Sequence, residues 1–308
     1  MGRYAIRRLL QLVPVVLGTT FIINYMVWQL PGDPFAGRCG QRPCPDSYVT
    51  AMREQFGLDQ PILVQYWSFL KNLFTGNLGT DFNGVSVATQ LGDAWPITIR
   101  LALMAVLFEA IIGIGAGVLS GLKRGGFLDN VVTISTLFLL SLPIFVTGYL
   151  LQWILGVQFH VIEPTVSDEA TIPELIVPAL VLASLNMAFT ARLTRTSIVE
   201  NLRADYVRTA VAKGLSNRRV VGIHLLRNSL IPVLTFLGTE VGSLMSGAII
   251  TEGIFNIHGI GGLLWRAING QDYTIVVPVA TLLVLVYLLS NLLVDLLYGV
   301  LDPRIRYE

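Results

Sequence analysis

Side chains able to do chemistry are sparse in this chain, and their spacing excludes more than it suggests. The histidines, His160, His224 and His258, lie far apart in sequence and supply neither a metal set nor the base of a Ser-His-Asp arrangement. The lysines, Lys71, Lys123 and Lys213, all fall outside any G-x-x-x-x-G-K-[ST] context, so no phosphate-cradling loop is expected. No G-x-S-x-G elbow occurs either. Catalytic residues and metal ligands are therefore expected to be absent, and the chain reads as a non-enzyme. Cys39 and Cys44, in RCGQRPCP, are too few for a tetrahedral zinc site. A disulfide, a thiol pair or half of a metal site remain open until the compartment is known.

The remaining chemistry is electrostatic. Charged residues make up only 13% of 308 residues while hydrophobic ones make up 53%, and the charges are bunched. Soluble domains carry about a quarter charged residues, so the pattern is that of a polytopic membrane protein. The net charge of +1 gives no general attraction for nucleic acid. Six segments have the roughly 20 apolar residues needed to span a bilayer. They run from Leu9 to Leu30, Ile97 to Leu122, Val131 to Val157, Leu175 to Ala191, Ser229 to Ile250 and Val277 to Leu301. The third is interrupted by Pro143 and Gly148; the fourth is short and contains Pro178. The first is preceded by Arg3, Arg7 and Arg8 but is longer than a signal core and lacks an A-x-A-like site, so it reads as a retained helix.

Acids inside apolar spans are costly and usually face a cavity or a partner. Glu109, Glu240 and Asp295 are the candidates. Glu240, nearest the middle of its span, is the candidate for lining a pathway; the alternative is a buried, hydrogen-bonded packing residue. Asp295 lies toward the inner end and is expected to pair with a base there. Glu252, at an outer end, reads as an interfacial acid. Gly113, Gly117 and Gly121 recur every four residues, as do Gly238, Gly242 and Ser246. Such faces let helices approach closely. Intrachain packing is the simpler reading; contact with a second subunit or a sliding seam is the alternative.

The positive-inside bias orients the spans. Arg3, Arg7 and Arg8, Lys123 and Arg124, the bases from Arg192 to Arg227, and Arg304 with Arg306 fall on one side. Most loop acids, from Asp33 to Asp93 and from Glu163 to Glu174, fall on the other. Both termini are then cytoplasmic. Residues 31–95 form an extracytoplasmic cap, expected to contain one or two helices, with PILVQYWSFLKNLF amphipathic at helical spacing. Cys39 and Cys44 fall in that oxidising compartment, which predicts a disulfide serving as a loop staple. The chain thus divides into 1–30 (N-terminus and first span), 31–95 (cap) and 96–308 (core), the core carrying a cytoplasmic loop at 192–228.

That loop is the only inside segment large enough to meet a cytoplasmic protein. NLRADYVRTAVAKG reads as a short amphipathic helix that Gly214 would cap, and RRVVGIHLLRNSLIP as a second helical piece entering the fifth span. A topological anchor would explain the arginines, but not the run Thr209-Ala210-Val211-Ala212-Lys213-Gly214.

TAVAKG resembles the EAA loop of bacterial ATP-binding-cassette importer permeases. YVRTAVAKGLS and His224-Leu225-Leu226-Arg227-Asn228 resemble the dipeptide/oligopeptide (peptide/nickel) branch, which has Arg208 where the general motif has an acid. RRLLQLVPVVLG, LPGDPF, FGLDQPILVQYW, GNLGTDF and NLLVDLLYGVLDPRIRY extend the likeness along the whole chain, to the branch's B-type permease subunit. The resemblance implies an all-α polytopic membrane protein of six transmembrane helices with the type I importer permease fold, in a bacterial cell membrane. Its partners would be a homologous second permease, two cytoplasmic ATPase subunits or one fused ATPase, and an extracytoplasmic substrate-binding protein. ATP and Mg would bind those ATPases, with no cofactor on this chain. Asp205, Tyr206, Arg208, Thr209, Ala210, Ala212, Lys213, Gly214, His224, Arg227 and Asn228 would make the ATPase-coupling surface. Ala210, Ala212 and Gly214 would permit close approach, and Arg208 and Lys213 would meet acids. Peptides are the default cargo, with nickel, haem and other small solutes also found in the branch. EGIFNIHGIGG and QDYT depart from the family pattern at His258 and Gln271. A secondary transporter or channel working without ATP is the alternative; it leaves the helix-break-helix loop unexplained.

Overall fold

A computed structural model describes residues 2–29, 39, 44–55, 57–81 and 83–301. LPGDPF, the C-terminal bases Arg304 and Arg306, and the side chain of Asp295 lie outside the described residues. The described residues are helical apart from turns and one isolated bridge between Thr80 and Ser86. Among the described residues four helices are long and apolar enough to cross a membrane, or up to six where each of two bent pairs counts as one span. The chain divides into two compact units, 1–99 with 248–308, and 100–247.

The first unit begins with α1 (Gly2–Gln29), whose lipid-like surface leaves Leu10, Ile22 and Met26 exposed. The expected cap helices are α2 (Asp46–Gln55) and α3 (Ile62–Phe74). Tyr66 holds α3 to α1: its hydroxyl donates to the Leu17 carbonyl at 2.8 Å and shares a 2.8 Å hydrogen bond with Thr20. Its ring meets Phe21 edge-on at 5.2 Å. Cys39 and Cys44 are joined by an S–S bond of 2.02 Å. Then α4 (Val87–Leu122) starts well before Pro96, where the sequence placed its beginning. A proline inside a helix removes one hydrogen bond. Here Val87, Leu91 and Ala94 bury a full apolar stripe beside it, and that burial outweighs one lost bond.

The stripe packs on α11 (Ile260–Asn269) and α12 (Tyr273–Leu301), through Ile260, Leu263, Leu264 and Ala267 and through Ile275, Val276, Val279 and Leu283. The helix α11 was not expected from sequence. Its start rests on the end of α10 (Ile231–Ile254), where Glu252 is fully buried. Glu252 Oε1 accepts from Thr98 Oγ1 at 2.8 Å and Oε2 from the Gly262 N–H at 2.7 Å. Thr98 Oγ1 in turn accepts from the Ile260 N–H at 2.8 Å. Helix starts leave such N–H groups without intrahelical partners. Glu252 is therefore an internal cap, which corrects its reading as an ordinary interfacial acid. A Cβ on Gly262 would lie 2.0 Å from the Ile257 carbonyl oxygen, so EGIFNIHGIGG needs glycine there for close packing.

In the second unit, α4 widens into a π turn over Glu109–Ile114. It packs along α7 (Ile172–Asn201), which is 30 residues long rather than ending near Ala191. A capping box opens α7: the Thr171 N–H donates to Glu174 Oε2 at 3.0 Å. The glycine seam is intrachain. Added Cβ atoms would fall 2.9 Å from Thr190 Cγ2 at Gly113, 2.5 Å from the Ala191 carbonyl at Gly117, and 2.9 Å from Ile198 at Gly121. Between these helices lie α5 (Phe127–Ser141) and α6 (Ile144–Gln158), bent by 103°. Pro143 forces Leu142 into extended backbone (φ −97°, ψ 128°), ending α5 there. After α7 come α8 (Asp205–Ala212) and α9 (Asn217–Ser229), the latter turning 46° into α10. Pro232, two positions into α10, cannot supply the N–H that would continue α9.

Candidate functional site

An eight-residue helix cannot persist alone in water, so α8 depends on what it packs against. Val207 and Ala210, one turn apart, enter an apolar cluster with Ile198 of α7 and Val220 and Leu225 of α9. Leu215, Val221 and Leu226 close its margin. The end of α8 is fixed by the backbone. Gly214 has φ +73°, its N–H donates to the Val211 carbonyl at 2.9 Å, and the Leu215 N–H donates to the Ala210 carbonyl at 3.3 Å. This is a Schellman end, which needs a residue without Cβ strain in the left-handed region. The next residue, Leu215, folds back toward Ala210, so the glycine break and the apolar cluster stabilise one another.

The opposite face of α8 is open. Asp205, Tyr206, Arg208, Thr209, Ala212, Lys213 and Gly214 are exposed. The Arg208 side chain is 71% exposed and stands 3.8 Å from Asp205, a contact too solvated to hold it. Thr209 turns its hydroxyl back to the Asp205 carbonyl at 2.8 Å, and Tyr206 donates to Asn201. A Cβ on Gly214 would have nothing within 4 Å. On α9, Arg227 and Asn228 are exposed and His224 is half-buried; Asn228 donates to the His224 carbonyl at 3.2 Å. The structure thus brings both halves of the expected set onto one compact body, joined through Val220 and Leu225. Ala210 is the exception. It is buried beneath α8, so the close approach it permits is to α9 and not to a partner.

A second polar group lies within the same unit. Asn186 and Thr190, one turn apart on α7, hydrogen-bond two span acids. Asn186 Nδ2 donates to Glu240 Oε2 at 2.7 Å, and Thr190 Oγ1 to Glu109 Oε1 at 2.7 Å. Glu109 is fully buried and its Oε2 has no hydrogen-bond partner. Glu109 lies on the same buried face as Leu101 and Ala105, at successive four-residue steps, and the wide turn follows it. Glu240, the pathway candidate, is half-buried. Among the described residues no group of His, Cys, Asp and Glu could hold a metal ion.

Sequence reasoning passed over Asp129 on α5. Arg195 of α7 holds it with a two-pronged contact, Nε to Oδ1 at 2.6 Å and Nη2 to Oδ2 at 2.9 Å. The signal was present: Asp129 is an acid on the side where bases dominate.

Comparison with known proteins adds the family. Residues 113–307 match the binding-protein-dependent transport system inner membrane component, and residues 1–95 match the N-terminal region of such membrane components. The chain is 38% identical over 340 aligned positions to a di/tripeptide transport system permease protein of Pseudomonas aeruginosa, covering all of both chains. It is 35% identical over 336 positions to a dipeptide transport system permease protein of Alkalihalophilus pseudofirmus, again covering all of both. A glutathione transport system permease protein of Pectobacterium atrosepticum is 37% identical over 309 positions, with full coverage of both.

Proposed function

Because this chain belongs to the family of binding-protein-dependent transport system inner membrane components, we propose that α8 and α9 are its joint with an ATPase and that its cargo is a short peptide. The chain is a permease subunit of an ATP-binding-cassette importer, a multi-pass protein of a bacterial membrane and a transport component rather than an enzyme.

The observation carrying the coupling assignment is the form of α8. One face is anchored in its own apolar cluster, the other is polar and open, and Gly214 leaves clear space at the tip. A joint that transmits force must be stiff on the permease side and free on the partner side. Asp205, Tyr206, Arg208, Thr209, Ala212, Lys213 and Gly214 would enter a groove on a cytoplasmic ATPase, with Arg208 and Lys213 facing its acids. His224, Arg227 and Asn228 would border the same groove, while Ala210 would support it from behind. ATP and Mg would bind the ATPases, either two subunits or one fused chain. A homologous second permease would complete the pathway as a heterodimer, and Glu240 would face that pathway.

On the outer side, the cap residues would meet an extracytoplasmic substrate-binding protein. Leu63, Trp67 and Phe74 on α3 are more than two-thirds exposed, the pattern of a helix lying on a lipid surface. Both termini and α8 would be cytoplasmic, from the charge asymmetry. Short peptides are the cargo class common to the names of the relatives, all matched along their whole length.

Co-purification from membranes tests the assignment. A tagged chain is expected to bring down its ATPases, and reconstituted importer to take up labelled dipeptide only with ATP and binding protein. Dipeptide flux through the isolated chain without ATP would overturn it.

A further inference from the structure

Asp129 is 3% exposed, and its carboxylate is saturated by donors from three separate segments. Ser120 Oγ, near the end of α4, donates to Oδ1. The Gly125 N–H, in the turn after α4, donates to Oδ2 at 2.8 Å. Arg195 of α7 supplies Nε and Nη2. Burying an ion pair is a poor way to gain stability, because desolvation offsets the attraction. What a two-pronged arginine–carboxylate contact does supply is orientation. The contact continues toward the joint. One turn beyond Arg195, Ile198 forms the floor of the cluster beneath α8. Beside it, Ser197 Oγ donates to the Ser229 carbonyl at 2.9 Å, tying α7 to the end of α9.

We propose that Asp129 and Arg195 are positioning residues that make α4, α5 and α7 one rigid body with the coupling helix α8. A displacement imposed on α8 then moves whole spans instead of being absorbed by bending at the cytoplasmic ends. The proposal rests on the coupling assignment of α8 and adds the residues through which it acts.

The test uses the assembled importer in proteoliposomes, with radiolabelled dialanine as probe and uptake per ATP hydrolysed as readout. Asp129→Asn keeps the shape and removes the charge. It is expected to lower that ratio about tenfold, the scale of coupling changes made by contacts remote from either ligand, while ATPase subunits still co-purify in normal yield. Arg195→Lys keeps the charge but loses the fork and is expected to lower the ratio less. The exchange pair Asp129→Arg with Arg195→Asp is expected to recover part of it, which general destabilisation would not do. A wild-type ratio in Asp129→Asn would overturn the proposal.

Should the substituted chains not assemble, spin labels at Leu128→Cys and Ile223→Cys report on the intact clamp. Their separation is expected to be the same without nucleotide and with ATP trapped; a shift between those states would overturn it. Gly214→Trp separates the two levels. If that variant transports normally, the coupling assignment itself fails. If it fails to transport beside a normal Asp129→Asn, only the clamp is lost.

Discussion

Glu252 shows how one residue converts a sequence pattern into structure. Its two oxygens satisfy Thr98 and the first turn of α11, and Gly259 leaves no space for a side chain against it. Glu252→Gln keeps the volume but replaces one acceptor with a donor facing a hydrogen-bond donor. Leaving a buried donor unsatisfied costs about 1–3 kcal/mol. Detergent-solubilised Glu252→Gln is therefore expected to melt several degrees lower, read by thermal aggregation or a thiol-independent dye. An unchanged melting temperature would mean the carboxylate is dispensable as a cap. The sequence showed an acid at a span end, which interfacial position alone could explain. Its burial came from the packing of α11, a helix whose Gly-Gly start hid it from pattern reading. Glu109 was legible as a span acid on the face of Leu101 and Ala105, but its partner Thr190, far along the chain, was not.

Helix seams respond to single carbons. Gly117 sits on the α7 backbone, whereas Gly115, on the same stretch of α4, has nothing within 4 Å of an added Cβ. Gly117→Ala must force α4 away from Ala191 and Thr194, and overpacking of this kind costs about 1–3 kcal/mol. Gly115→Ala is expected to be neutral or slightly stabilising, as alanine is the better helix former. Comparing the two variants for expression and melting temperature checks the seam, and equal behaviour would deny it. The four-residue spacing made this seam legible in the sequence, and so were the spans, because apolar length is a one-dimensional signal. Boundaries were less so. Helix α4 begins before Pro96 and α7 runs on to Asn201, since tertiary burial at Val87, Leu91 and Ile198 extends helices past local punctuation. The bend at Leu142 and Pro143 was visible as an interruption, but its angle of 103° was not.

At the scale of the whole chain, the bases on one set of loops and the acids on the other predict how it sits in the membrane. Cys39 and Cys44 are bonded to each other, so a single introduced cysteine would be the sole reactive thiol. Arg124→Cys, exposed in the turn after α4, is expected to react with a membrane-impermeant maleimide in inside-out vesicles and not in intact cells, and Asn72→Cys the reverse. Labelling of Arg124→Cys from outside would invert the topology and remove the ATPase joint. The helix-break-helix form of the loop at 192–228 was legible because its glycine, small residues and bases are local in sequence. Its support from Asp129 and Arg195 joins residues far apart in the chain, which only the fold brings together. The central claim, that α8 passes ATPase motion to the spans, is tested most directly by Gly214→Trp. The substitution fills the open tip, where its Cβ meets no atom of this chain within 4 Å, and it also strains the left-handed backbone that ends α8. Dipeptide uptake and binding-protein-stimulated ATPase activity are both expected to fall to background, with membrane insertion unchanged. Retention of both activities at wild-type levels would contradict the claim.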